Sequence, residues 1–168
     1  MLTSHELFGV MSPNLADEIL NFVHESDRPT YKNALNAVAQ ARHVRPVFLE
    51  RQPRAQRQAA LIATLSKPML EEVTGGLIRV WLVKKYKTML GDFLDALAIQ
   101  NEGGVVDDLP AAVDDVKLKP AVDVLLTKYP PEAVAVYLHA FNDMNEANWA
   151  NLKAMLESDS RLQLGSRS

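Results

Sequence analysis

The 168-residue sequence predicts an all-α protein, a compact multi-helix domain of about seven or eight helices. Three observations carry this expectation. Apolar residues recur at the i, i+3, i+4, i+7 spacing of a single helix face through most of the chain. Prolines fall where those periodic runs begin, the position at which a missing N–H costs a helix nothing. No run shows the sustained two-residue alternation of a half-buried strand, and Val105-Val106 is too short to be more than a bridge.

The elements follow in order. Thr3 and Glu6 have capping-box spacing and open a short helix that Gly9 or Ser12 ends. Ser12-Pro13 reads as N-cap and first turn of a second helix, with Leu15, Ile19, Phe22 and Val23 on one face. After Asp27-Arg28-Pro29, a third carries Tyr31, Ala34, Leu35 and Val38 and runs to about Arg45. Residues 47–51 are a short connecting segment, and from Pro53 a fourth helix buries Leu61, Ile62 and Leu65. Ser66-Lys67-Pro68 starts a fifth, with Glu71 and Glu72 in the first turn, where negative charge suits the helix dipole. Leu70, Val73, Leu77, Val80 and Trp81 form one stripe on it; Ile78, Leu82 and Met89 form another, so it is expected to be central.

Gly75-Gly76 inside this run marks an interruption or a close backbone contact, since each glycine costs about 1 kcal/mol in a helix. Tyr86, Met89, Leu90, Phe93, Leu94 and Leu97 give the strongest periodic match. Residues 100–110, with Gly103-Gly104 and Asp107-Asp108, read as a loop. Beyond it, Val122, Leu125, Leu126 and Tyr129 define one helix, and Pro130-Pro131-Glu132 opens another with Val134, Leu138 and Phe141. Asp143 and Glu146 repeat the capping-box spacing before a last helix bearing Trp149, Leu152 and Leu156. One domain is expected over residues 1–157, with a frayed tail over 158–168. A short solenoid-like stack of helix pairs is the alternative, because residues 13–23 and 131–141 are loosely alike. The residues between them do not repeat at a fixed spacing, which favours the bundle.

A chain of this length buries roughly 70% of its unfolded surface, enough for a core without staples. It has no cysteine, which excludes disulfides, thiolate metal sites and cysteine nucleophiles, and a cytoplasmic setting is expected. The first eleven residues lack the basic start and apolar run of a secretory signal, and no segment approaches a membrane span. No membrane partner is expected.

The net charge of −3 hides three blocks. Residues 1–27 hold five acids and no Lys or Arg; residues 28–91 hold twelve bases and three acids; residues 92–168 hold six bases and thirteen acids. The basic block either faces the acidic flanks within the fold or marks a surface for an anionic partner. Its densest part supplies the candidate anion- or partner-binding residues Arg42, Arg45, Arg51, Arg54 and Arg57, flanked by His43 and followed by Lys84, Lys85 and Lys87. Arginines suit this role because the guanidinium grips carboxylate or phosphate with two parallel donors. Phe48 is the one aromatic residue between Arg42 and Arg57, which argues against a platform for stacking single-stranded bases.

Catalytic and metal-binding patterns are thin. His139 and Asp143 lie at i, i+4, but Asp143 is better read as the N-cap of the last helix, and no second histidine lies near. Asp92 and Asp95 would do acid-base work only if buried together; a solvated helix side, paired with Lys85 or Lys87, is the plainer reading. His5, His24 and His43 are scattered near helix ends. Gly75-Gly76 and Gly103-Gly104 match neither the P-loop nor the dinucleotide fingerprint, and Gly-x-Ser-x-Gly and His-Glu-x-x-His do not occur. The expected function is therefore a non-enzymatic helical interaction module that binds another protein or a second copy of itself, with no cofactor. Nucleic-acid or anion binding through the basic block 28–91 is the alternative.

Overall fold

In a computed structural model, which describes residues 2–106, 108–144 and 148–165, 75% of the chain is helical. The described residues form ten α-helices and two 3₁₀ turns and no strand. The single ladder contact among the described residues is an isolated bridge between Glu102 and Val105. The all-α expectation holds, with a helix count above seven or eight. No helix among the described residues is long and apolar enough to cross a membrane. The chain divides into two compact units: Thr3–Trp81, and Met1–Leu2 with Leu82–Ser168.

Thr3–Trp81 begins with α1 (Ser4–Val10), opened by the Thr3/Glu6 capping box. A second cap comes from far along the chain, as the Glu71 carboxylate accepts from the backbone N–H groups of Ser4 and His5 at 3.1 and 2.9 Å. These are orphan donors of a first helical turn, satisfied here by a remote acid. Helix α2 (Pro13–Ser26) has Pro13 at N1, and the Ser12 hydroxyl accepts from Leu15 N–H. Helix α3 (Arg28–Ala41) is capped by the Asp27 carboxylate on Thr30 N–H. It stops four residues before Arg45 because His43 turns left-handed (φ 58°). Val44 N–H then bonds Ala39 C=O and His43 N–H bonds Gln40 C=O, the paired bonds of a Schellman ending.

The segment expected as a connection is instead a helix, α4 (Pro46–Arg51), which buries Leu49 and leaves Val47 and Phe48 exposed. Helix α5 (Arg54–Leu65) follows. Pro68–Leu70 is a 3₁₀ turn, so α6 (Glu71–Lys85) starts three residues later than the proline suggests. Thr74, fully buried, donates its hydroxyl hydrogen to the Leu65 carbonyl at 2.7 Å and so satisfies an acceptor at the end of α5. Helix α3 packs on α2, α4 and α5, and α1 packs on α5. Trp81 lies fully buried in α6 and its indole N–H donates to Glu18 at 3.2 Å.

The other unit contains α7 (Lys87–Ala96), α8 (Asp115–Lys128), α9 (Pro131–Met144) and α10 (Ala150–Ser158). Here α9 is the central element. Every residue from 133 to 142 is buried, the polar His139 and Asn142 included, so it is buried on every side rather than along one stripe. Phe93 of α7 meets the rings of Tyr137 and Phe141 edge-on, with centroids 5.6 and 5.4 Å apart, and Phe141 meets Trp149 at 5.2 Å. Such ring pairs contribute about 0.5–1.5 kcal/mol each beyond their burial.

Between α7 and α8, Gly103 and Gly104 (φ 58° and 88°) make a two-residue reverse turn closed by the Glu102–Val105 bonds. A Cβ on Gly104 would lie 2.6 Å from Leu90 Cβ, so this turn rests directly on α7. Pro120 sits inside α8, where it deprives the Val116 carbonyl of a helical donor, at a residue that is 84% exposed.

Asp143 is not the N-cap of the last helix, because α9 continues through it to Met144 and Trp149 takes the N-cap position of α10. Asn142, one residue earlier, does the local tethering by accepting from Trp149 N–H at 2.9 Å. Glu146, its expected capping partner, lies outside the described residues. Within 158–168, expected as a frayed tail, Ser160–Leu162 form a 3₁₀ turn and Leu162 is fully buried. A leucine four residues past a helix end has no periodic context, which is why the sequence does not reveal its burial.

Candidate functional site

Local sequence explains where the five candidate arginines sit. Arg42 is the C-cap of α3, Arg45 the N-cap of α4 and Arg51 its last residue; Arg54 and Arg57 lie on the first turns of α5. Their hydrogen-bond partners differ. Arg42 donates to the Thr64 hydroxyl at 3.2 Å. Arg54 pairs with Asp17 at 3.0 Å, in a network where Asp17 also accepts from Gln58 at 2.7 Å and Asn21 at 3.1 Å. The Gln58 bond, and then Arg54, hold the Asp17 carboxyl below its ordinary range against the opposing effect of burial. Among the described residues, Arg54 is the one of the five in an ion pair, so facing acids explain only part of the block.

Arg57 is the exception in position. It lines a cleft of about 750 Å³ with Asn21 and His24 of α2, Arg28, Tyr31 and Lys32 of α3, Glu50 of α4 and Gln58 of α5. Two of its three cations, Arg28 and Lys32, were not among the five arginines. They are one helical turn apart on α3 and share the cleft with Arg57 and Gln58 of α5. The guanidinium of Arg57 spends one donor on the Glu50 backbone carbonyl, at a long 3.4 Å, while its Nε is buried without a hydrogen-bond partner. No ion pair among the described residues engages Arg28, Lys32 or Arg57.

His24 and Tyr31 meet edge to face with ring centroids 4.5 Å apart and give the cleft an aromatic wall. Burial pushes the Tyr31 phenol up, the Arg57 guanidinium opposes this and the Glu50 carboxylate adds to it. The phenol is therefore a neutral donor at physiological pH. With three cations against one carboxylate, the cleft carries two net positive charges, and every lining side chain belongs to the Thr3–Trp81 unit.

No protein-family model, curated protein or solved structure matches this chain.

The remaining candidate groups stay apart from one another. Asp92 accepts from Lys128 Nζ and Tyr129 Oη, both at 2.7 Å, rather than pairing with Lys85 or Lys87. Those two bonds hold its carboxyl low, while burial, then the bond to Asp92 and its charge, push the Tyr129 phenol up to about 12. Asp95 is engaged separately by Asn101 at 2.9 Å. His139 is buried and its Nδ1 accepts from Leu2 N–H at 3.2 Å, so it serves as a backbone acceptor. His5 is bound to Glu71, and His43 terminates α3. Among the described residues no group of three or more His, Asp or Glu side chains is placed to hold a metal ion.

Proposed function

We propose that this protein works by binding rather than by catalysis, as a helical interaction module that seats an anionic group of a partner protein in the α2–α3–α5 cleft. One observation carries the reading: Arg28, Lys32 and Arg57, from two helices, meet in a cleft large enough for an organic group, with none of them spent on an ion pair. Pockets of about 300–1,000 Å³ are of the size that takes a compact ligand or one anchoring side chain. Nucleic acid is the weaker reading, because the cleft that gathers Arg28, Lys32 and Arg57 suits a compact group rather than a long phosphate backbone. A cytoplasmic setting belongs to the same proposal, supported by a sequence without cysteine.

The test is an NMR titration of ¹⁵N-labelled protein with a short glutamate-centred peptide and with its glutamine counterpart. The glutamate peptide is expected to move the Arg57 Nε–H resonance and the Tyr31 and Lys32 amides, the glutamine peptide to leave them in place. The combined Arg28→Gln, Lys32→Gln, Arg57→Gln variant, with its helical circular dichroism intact, is expected to lose the response. Equal shifts from both peptides would remove the reading.

A further inference from the structure

Resting on the binding reading of this cleft, we infer that the anionic group it selects is a phosphomonoester dianion carried on an organic group. Charge is the first reason. A carboxylate offers one negative charge to a cleft with two net positive charges, whereas a phosphomonoester offers about −1.5 to −2 near neutral pH and three acceptor oxygens. Donor geometry is the second. Arg57 gives one terminal nitrogen to the Glu50 carbonyl and its guanidinium acts on the Tyr31 phenol, which holds the head in the cleft while a planar group of five donors still has some to offer an oxyanion. Lys32 and Arg28, from the adjacent helix, supply charge for the third oxygen, and Tyr31 is a neutral phenol able to donate beside them.

Shape is the third reason. The cleft is far larger than one tetrahedral anion needs, and its wall includes the His24–Tyr31 ring pair and Leu35. An apolar or aromatic carrier would bury against those surfaces while the phosphate meets the cations. Gln58 is fixed through its amide nitrogen to Asp17, so the floor of the cleft is held in place before a ligand arrives.

The experiment compares four probes against the intact chain by the same Arg57 Nε–H and Tyr31 shifts: a phosphoserine-centred peptide, its glutamate counterpart, phenyl phosphate and inorganic phosphate. The phosphopeptide or phenyl phosphate is expected to bind at least about tenfold tighter than the glutamate peptide. Arg57→Lys, which keeps the charge and removes the planar guanidinium, is expected to erase that preference while leaving weak binding. Tighter binding of the phosphopeptide assigns the group to a partner protein; tighter binding of phenyl phosphate assigns it to a small phosphate ester. Inorganic phosphate binding as tightly as both would overturn the organic carrier. A glutamate peptide as tight as its phosphoserine form would overturn the dianion and leave the interaction reading standing. Silence from all four would overturn both.

Discussion

His139 shows how much one buried side chain determines. Its ring is 4% exposed and Nδ1 accepts from Leu2 N–H, so the imidazole must be neutral for that bond to exist. Burial lowers its pKa from 6.5 to about 4. An unfolded chain therefore takes up a proton at a pH where the folded one does not, and stability present above about pH 6.5 is lost as the pH falls toward 4. Between about pH 7 and pH 5 the loss should be about 2 kcal/mol. Urea unfolding of the wild type should show that drop, and His139→Gln, which keeps an acceptor without a titration, should show less of it. Parallel curves for the two proteins would show that other groups cause the acid sensitivity.

Among the elements, α6 is the one whose sequence most misleads. Gly75-Gly76 reads as an interruption or a close backbone contact, yet the helix runs unbroken from Glu71 to Lys85. A Cβ on Gly76 would meet nothing within 4 Å, so the glycine there carries a helical cost with no packing return. Gly76→Ala should raise stability by about 0.5–1 kcal/mol, read as a higher melting temperature. A lower one would mean that the backbone at 76 is not helical in solution. The real break in this region is at Tyr86 (φ −115°, ψ 32°), between α6 and α7. Neither glycine nor proline marks it. Tyr86 sets its ring edge-on to Tyr129, a partner more than forty residues away, so local sequence does not reveal the break.

At the scale of the whole molecule, the charge blocks have a divided use. Arg54 meets Asp17 across α2 and α5, whereas Arg51 enters no ion pair among the described residues and Arg57 opens into the cleft. The Arg54–Asp17 pair is partly exposed, and exposed pairs contribute about 0–1 kcal/mol. Replacing Arg51, Arg54 and Arg57 together by alanine should therefore cost no more than about 1–2 kcal/mol while abolishing anion binding in the cleft. Thermal unfolding and the peptide titration, run on the same variant, check both parts. A variant that failed to fold would show that the arginines hold the structure together instead.

Period and punctuation are local, and what they determine is readable directly: the all-α class, the prolines that begin α2 and α9, the acids at the head of α6, and the burial of Trp81 and Phe93. A 3.6-residue repeat reports which face of one helix avoids water, because that face is set by residues within two turns of one another. It carries no information on which other helix meets that face. Arg57 was legible as a candidate, but its partners Arg28 and Lys32 were only members of a basic block until α3 packed against α2 and α5. The cleft, the remote cap of α1 by Glu71 and the full burial of α9 were decided by tertiary packing, since each depends on side chains brought together from turns far apart in the chain.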